Sequence, residues 1–364
     1  PTDANGLFWS EAQRDAGFRM LDRVPILVAS RDIPTSDTTR PLETGPALEL
    51  PIDVEAYMTE QRHAALIILH NGQIRLEQYG LGFDDTGRWT SFSVAKSLTS
   101  TLVGVAVKEG DIDDLSGPVS KYIPGLENSA YTDVTVEQLL MMTSGIAWDE
   151  TYTDPNSDVA KFNDHVAEDG GSNLVSYMAA LPRAHPPGEV WNYSTGETNL
   201  IGVLVQEATG RTLSEYLSEK IWAPYGMQQD ASWLLNEDGT EISGCCIQAT
   251  LRDYARIGQL ILDGAQIEGT PIVPDDWLAR ATTKRVGYGL PGHGYGYQWW
   301  TYDDGAFTAD GIFGQGIYID PSRNLVIATN CNWTTALGDV DGEHAKREDF
   351  YKVVAAAIDA ETGG

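Results

Sequence analysis

The sequence lacks several common signatures of chemistry. Only three of its 364 residues are cysteine, Cys245, Cys246 and Cys331. None stands in a C-x-x-C spacing, so no zinc knuckle or thioredoxin-like motif is present. A bridge between adjacent cysteines is strained, and the two neighbours are expected to pack as small apolar residues. There is no H-E-x-x-H helix for a zinc hydrolase and no G-x-S-x-G elbow for an α/β-hydrolase. The six histidines, His63, His70, His165, His185, His293 and His344, stand in no catalytic context. His70, at a hairpin turn, is expected at the surface. No apolar run reaches the ~18 residues of a membrane span. Positive charge is scarce, with 24 Lys and Arg against 53 Asp and Glu, a formal net charge of −29. Nucleic acid and anionic membranes are therefore poor partners. The acid is spread along the chain and reads as a solvated surface, suited to a salty habitat, with steering of cationic substrates as the second reading. The chain begins at Pro1, without a methionine, which implies that something upstream was removed, and a secretion signal is one such segment.

What is present is a globular composition, 42% hydrophobic and 21% charged, in a chain long enough for one large domain or two intimate ones. Residues 1–50, with Pro25, Pro34, Pro41 and Pro46, read as an extension wrapping the rest. Two β-rich runs flank Asn71-Gly72 in AALIILHNGQIRLEQYG (64–80), the strongest short-range hairpin signal. Apolar spacing predicts a helix over 94–109, stopped by Gly110. Thr135-x-x-Gln138 and Thr212-x-x-Glu215 are capping boxes, and Thr250 caps the helix that follows it. Residues 151–173 carry no periodicity and read as a long loop over a site. The last third turns to strands at 294–302, 305–313, 316–321 and 324–333, then a helix over about 345–360. The order predicts an α+β chain in which an antiparallel sheet forms from both chain ends, flanked by helices, with a mostly helical region inserted. The expected divisions are 1–50 as the extension, 51–88 plus 240–364 as the sheet unit and 89–239 as the helical unit, with a site between the last two.

The stretch SFSVAKSLTS (91–100) carries the chemistry. Ser93 and Lys96 are three apart and share one helix face. At a helix start, free N–H groups and the dipole stabilise negative charge, and the Ser93 N–H can serve as an oxyanion donor. Lys96, one turn deeper in an apolar helix, loses solvation, which lowers its pKa. A neutral amine there can take the serine proton. The competing reading is a capping serine with a snorkelling lysine. S-x-x-K alone is weak, with about one chance occurrence expected in a chain this long. Tyr193, in WNYSTGETNL (191–200), supplies a phenol for a proton relay; taken alone, it reads as core packing.

S-x-x-K at 93–96, LLMMTSGIAWD (139–149), the Tyr193 element, ATLRDYARIGQLILDG (249–264), GYGYQWW (294–300) and FGQGIYIDP (313–321) together resemble the class C β-lactamase-like serine hydrolases, relatives of the penicillin-binding proteins. Within that group the chain is most similar to the 6-aminohexanoate-dimer (nylon-oligomer) hydrolase branch, whose active-site loop ETYTDPNSDV (150–159) resembles. The resemblance implies a β-lactamase/transpeptidase-like fold, and a bacterial protein of periplasm or cytoplasm. It implies Ser93 as nucleophile, Lys96 as base, Tyr193 in proton transfer, and the N–H groups of Ser93 and Ile312 as oxyanion donors. It further implies substrate contacts from Tyr152, Asn163, Phe313 and Gln315. The substrate implied is a small ester or amide, and no metal or cofactor is implied. Two departures bear on substrate. Tyr193-Ser194-Thr195 lacks the asparagine of the Y-x-N element, and Ala309-Asp310-Gly311 replaces K-T-G, so Asp310 is expected to repel a carboxylate. Asn163 stands where an acidic residue favours the amine end of a nylon dimer. β-Lactamase and D,D-peptidase activities are thereby disfavoured, and a catalytically inactive binding module on the same fold remains the alternative of another class.

Overall fold

The structure, a computed structural model, describes residues 6–24, 28–168 and 170–363. A seven-stranded antiparallel sheet runs in the order Gln73–Tyr79, His63–His70, Leu325–Cys331, Gln315–Asp320, Phe307–Gly311, Trp300–Tyr302, His293–Tyr295. Both chain ends thus contribute, as the sequence pattern requires. The fold is β-lactamase/transpeptidase-like. The hairpin turns on Asn71 and Gly72, with φ of 52° and 74°, the left-handed pair that a two-residue turn demands. His63–His70 is buried along its whole length. Its side chains alternate between two cores. Ala65, Ile67 and Leu69 join the larger one with the central helices. Leu66 and Ile68 join Phe350, Val354 and Ile358 of the C-terminal helix Glu343–Thr362. A strand covered on both faces reads as a continuous apolar run, which is why alternation is invisible in its sequence.

Between the sheet halves come the helices. Val94–Glu109 ends on Gly110 at φ 86°, and both predicted capping boxes form, at Thr135 and Thr212. Thr250 caps Leu251–Leu262. Ser97, Thr99 and Ser100 of Val94–Glu109 are buried but partnered: Ser97 and Ser100 donate to the carbonyls of Gln298 and Tyr297, and Thr99 to that of Ser243. These bonds lock the helix against the segments that line the site. Among the described residues, no helix is long and apolar enough to cross a membrane.

Several expectations are corrected. The run 294–302 is two paired strands, because Gln298 takes a left-handed φ of 62° and turns the chain. The extension does more than wrap: Ser30–Ile33 pairs with Ala231–Leu234 at the edge of a second, four-stranded sheet. Cys245 and Cys246 form a vicinal disulfide rather than packing as separate apolar residues; Cys331 is a buried free thiol. His70 is buried, with Arg75 and Asn71 against its ring nitrogens.

Candidate active site

Ser93 occupies the N-cap position of Val94–Glu109, but its side chain makes no capping bond. The residue before it, Phe92, is left-handed at φ 41°, an unfavourable state for a bulky residue. One turn on, Lys96 is 1% exposed. Its Nζ lies 2.9 Å from Ser93 Oγ, 2.9 Å from Thr195 Oγ1 and 2.8 Å from the Gly244 carbonyl oxygen. Burial pulls its pKa from 10.5 down to about 8, with Glu150 drawing it back up. A neutral amine has two N–H donors and one lone pair. The Gly244 carbonyl can only accept. The Thr195 hydroxyl gives its hydrogen to Glu150, so it also accepts from Lys96. Both N–H bonds are then committed, and the lone pair is left for the Ser93 hydroxyl. A snorkelling lysine would have its amine in water, and this one does not.

Glu150 organises this arrangement. It accepts from the Thr195 hydroxyl, from the Thr195 N–H at 2.9 Å, from the Tyr152 hydroxyl at 2.9 Å and from the Trp148 indole. Four donors match the acceptor capacity of a carboxylate. Gly244 is fixed in turn by its N–H to Asn199 Oδ1 at 2.8 Å. A Cβ on Gly244 would come within 2.9 Å of Thr195, so the carbonyl reaches Lys96 only because the residue is glycine. Sequence reading treated Thr195 as a lost asparagine and passed over Glu150 and Gly244. Their roles depend on contacts across 45 to 148 residues of chain, for which no local pattern exists.

The Tyr193 hydroxyl is close enough to Ser93 to feel its side chain, and burial followed by Glu150 raises its pKa, so the phenol stays protonated. Its ring centroid is 5.0 Å from Lys96 Nζ, close enough to stabilise an ammonium there. Behind it Tyr193 stacks on Trp300 at 5.4 Å, within an aromatic group that includes Trp191 and Tyr295.

The end of the Phe307–Gly311 strand approaches the same point. A Cβ on Gly311 would lie 2.6 Å from the Ser91 carbonyl oxygen and 3.1 Å from the Ser93 nitrogen. Glycine is what lets Ile312 come alongside Ser93. Both line a cavity of about 580 Å³, with Tyr152, Phe162, Thr195 and the Cys245–Cys246 pair among its other walls. Among the described residues, the cavity presents Asp164 and Glu237 and no lysine or arginine. Asp310 is not the isolated negative charge its sequence position suggests. Arg347, 3% exposed in its side chain, donates to it at 2.9 Å.

Of the residues expected to touch substrate, Tyr152 reaches the cavity wall. Phe313 and Gln315 are buried at 2% and 1% exposure. Gln315 spends its amide on the carbonyls of Ile312, Phe313 and Cys331, bracing the turn rather than facing the cavity. The Asn163 side chain lies outside the described residues.

Glu197, on the helix Thr195–Thr209, is fully buried, and burial raises its carboxyl to about 8 against the pull of Ser144 and Tyr131. The folded chain therefore keeps a proton that the unfolded chain releases near 4.5. Stability is unaffected below that pH and falls as the pH climbs from there to about 8. Glu197→Gln, which mimics the neutral acid, is expected to flatten the fall of Tm across this interval. Parallel Tm–pH curves for the two proteins would show that the carboxyl is charged in the fold.

The sequence profile of the Beta-lactamase family matches residues 53–351. The chain belongs to this family. It is similar to the 6-aminohexanoate-dimer hydrolase of Paenarthrobacter ureafaciens, at 29% identity over 97% of this chain and 93% of that protein. Among solved structures, a Bacillus anthracis protein assigned as a 6-aminohexanoate-dimer hydrolase superposes with a TM-score of 0.83 at 22% identity, over 96% of this chain and 94% of that one. A family VIII carboxylesterase gives 0.63 at 20% identity, over 84% and 95%. At these identities the structural likenesses show the fold. The sequence match and the family model place the chain in a group of hydrolases.

Proposed function

We propose that this beta-lactamase-family chain is a serine hydrolase that cleaves small carboxylic esters or amides through an acyl-enzyme on Ser93. The observation that carries the reading is the set of three contacts around Lys96 Nζ, two acceptors and the Ser93 hydroxyl, in a site that lowers the amine pKa. The Ser93 proton passes to Lys96 as Oγ bonds to the substrate carbonyl carbon. The carbonyl oxygen takes the negative charge against the N–H groups of Ser93 and Ile312. The bond to the leaving group breaks as Tyr193 delivers a proton to it, and Lys96 returns a proton to Tyr193. Water then adds to the acyl carbon and loses a proton to Lys96, and the C–Oγ bond breaks as Lys96 returns that proton to Ser93 Oγ, releasing the acid.

The cavity supports a restricted substrate class. Its apolar walls, Leu21, Val28, Phe92, Phe162 and Ile242, suit a hydrocarbon acyl chain. Asp164 and Glu237 favour a neutral or cationic far end over a carboxylate. Tyr152, held by Glu150, contributes a ring to the acyl wall. With Arg347 buried on Asp310, it is not offered to the carboxylate of a β-lactam or peptide, so those substrates fit less well. A fluorophosphonate probe tests the reading directly. Expected is one adduct on Ser93 by mass spectrometry, absent from Ser93→Ala. Equal labelling of both proteins, or none of either, would refute it.

A further inference from the structure

We propose that the N-terminal segment holds the oxyanion hole in register, with Phe18 and Arg14 as its positioning residues. This rests on the hydrolase reading above and adds to it a part of the chain that contributes no reacting group. The two N–H groups in question come from distant stretches, 219 residues apart. Each is bordered by a phenylalanine in the left-handed region: Phe92 before Ser93 at φ 41°, and Phe313 after Ile312 at φ 60°. Such states persist only where surrounding structure over-determines them. What determines them here is the same element, the end of the helix Glu11–Gly17.

Phe18, completely buried, packs against both. Its ring is 4.9 Å from that of Phe92 and 5.4 Å from that of Phe313, and those two are 5.6 Å from each other. Its carbonyl accepts from the Thr90 N–H at 2.9 Å, three residues before Ser93. One aromatic side chain therefore closes a three-ring cluster on both strained residues, and through them supports the spacing of the two donors. Arg14 acts on the second donor. Its guanidinium covers the Phe313 ring at 4.5 Å. It also donates to Asn332 Oδ1 at 2.7 Å and to the carbonyls of Trp333 and Thr334 at 3.0 and 3.2 Å. That same stretch clamps the Phe313 backbone from both sides: Phe313 N–H donates to Ala336 and Trp333 N–H donates to Phe313. The strand exit is thus pinned to the N-terminal helix and the turn is pinned to the strand exit. Oxyanion donors act only when aimed at where charge develops, and an error of about 1 Å can lower rates ~100-fold.

The test uses the full chain, a p-nitrophenyl ester and phenylboronic acid, whose tetrahedral adduct on a serine places an oxygen against such donors. Phe18→Leu is expected to lower kcat about 10- to 100-fold, to leave KM within about twofold, and to weaken boronate inhibition by a factor similar to the loss in kcat. A purely structural role would lower Tm without this matched loss. Because Phe18 is fully buried, Arg14→Lys serves as a second variant should Phe18→Leu not fold. It keeps the charge and loses the fan of bonds, and the same kcat and boronate losses are expected at smaller size. Unchanged kcat and boronate affinity in folded variants, or a rise in KM alone, would overturn the proposal. Failure of the hydrolase reading has a different signature, in which the unsubstituted chain itself leaves both ester and boronate untouched.

Discussion

Lys96→Met is expected to lower kcat/KM by about 10³- to 10⁴-fold, the upper part of what general-base catalysis supplies, with little change in Tm. Methionine fills the volume of the lysine stem and removes only the amine. The loss of folding energy is limited because the wild-type amine is already desolvated, a state that carries an energetic penalty of its own. The same amine sets the pH profile. The reactive form is the neutral one, and its pKa is about 8. Activity is therefore expected to rise with pH and to level off above about 8, where most of the amine is unprotonated. An acidic limb governed by a carboxyl or histidine would point to another base, as would a fully active Lys96→Met. Initial rates across pH 6 to 10 for both proteins, with Tm at each end, decide the matter.

Tyr193→Phe is expected to show a loss that depends on the leaving group. The substitution keeps the ring that stacks on Trp300 and faces Lys96, and removes the hydroxyl beside Ser93. Because burial keeps that phenol protonated, it is suited to give a proton. p-Nitrophenolate departs without one, whereas an amine does not. Expected losses in kcat are therefore about 10- to 100-fold on a p-nitrophenyl ester and about 10³- to 10⁴-fold on the matching anilide. Equal losses on the two would place the hydroxyl at the nucleophile rather than at the leaving group. The comparison needs the same acyl group in both substrates, so that fit to the cavity cancels.

The carboxylate between Thr195 and Tyr152 clarifies why this site tolerates departures from its relatives' motifs. Where the Y-x-N element has asparagine, Thr195 gives Lys96 a hydroxyl partner, and that hydroxyl is oriented by Glu150. The lysine absent from Ala309-Asp310-Gly311 is not replaced, since Arg347 serves Asp310 from the protein side. On the proposed reading, one departure leaves the amine with a partner and the other alters what the cavity would bind. This division is consistent with retained chemistry on an altered substrate.

Local signals determined a good part of the molecule without any coordinates. Asn71-Gly72, Gly110, the capping boxes at Thr135 and Thr212, and Thr250 each act within four residues of themselves, through φ preference or a short hydrogen bond, and each sits where the pattern requires. Ser93 and Lys96 were legible for the same reason, being one helical turn apart. Tertiary structure alone decided the rest. Whether Lys96 is solvated depends on Gly244, Thr195 and Glu150, which reach it from three other stretches of chain. Phe313 and Gln315 turn inward because the Leu325–Cys331 strand and Arg14 offer them partners. The Cys245–Cys246 bridge and the left-handed Phe92 and Phe313 go against local preference. Such states are held by packing around them, and packing is a property of the assembled chain that no short window of sequence contains.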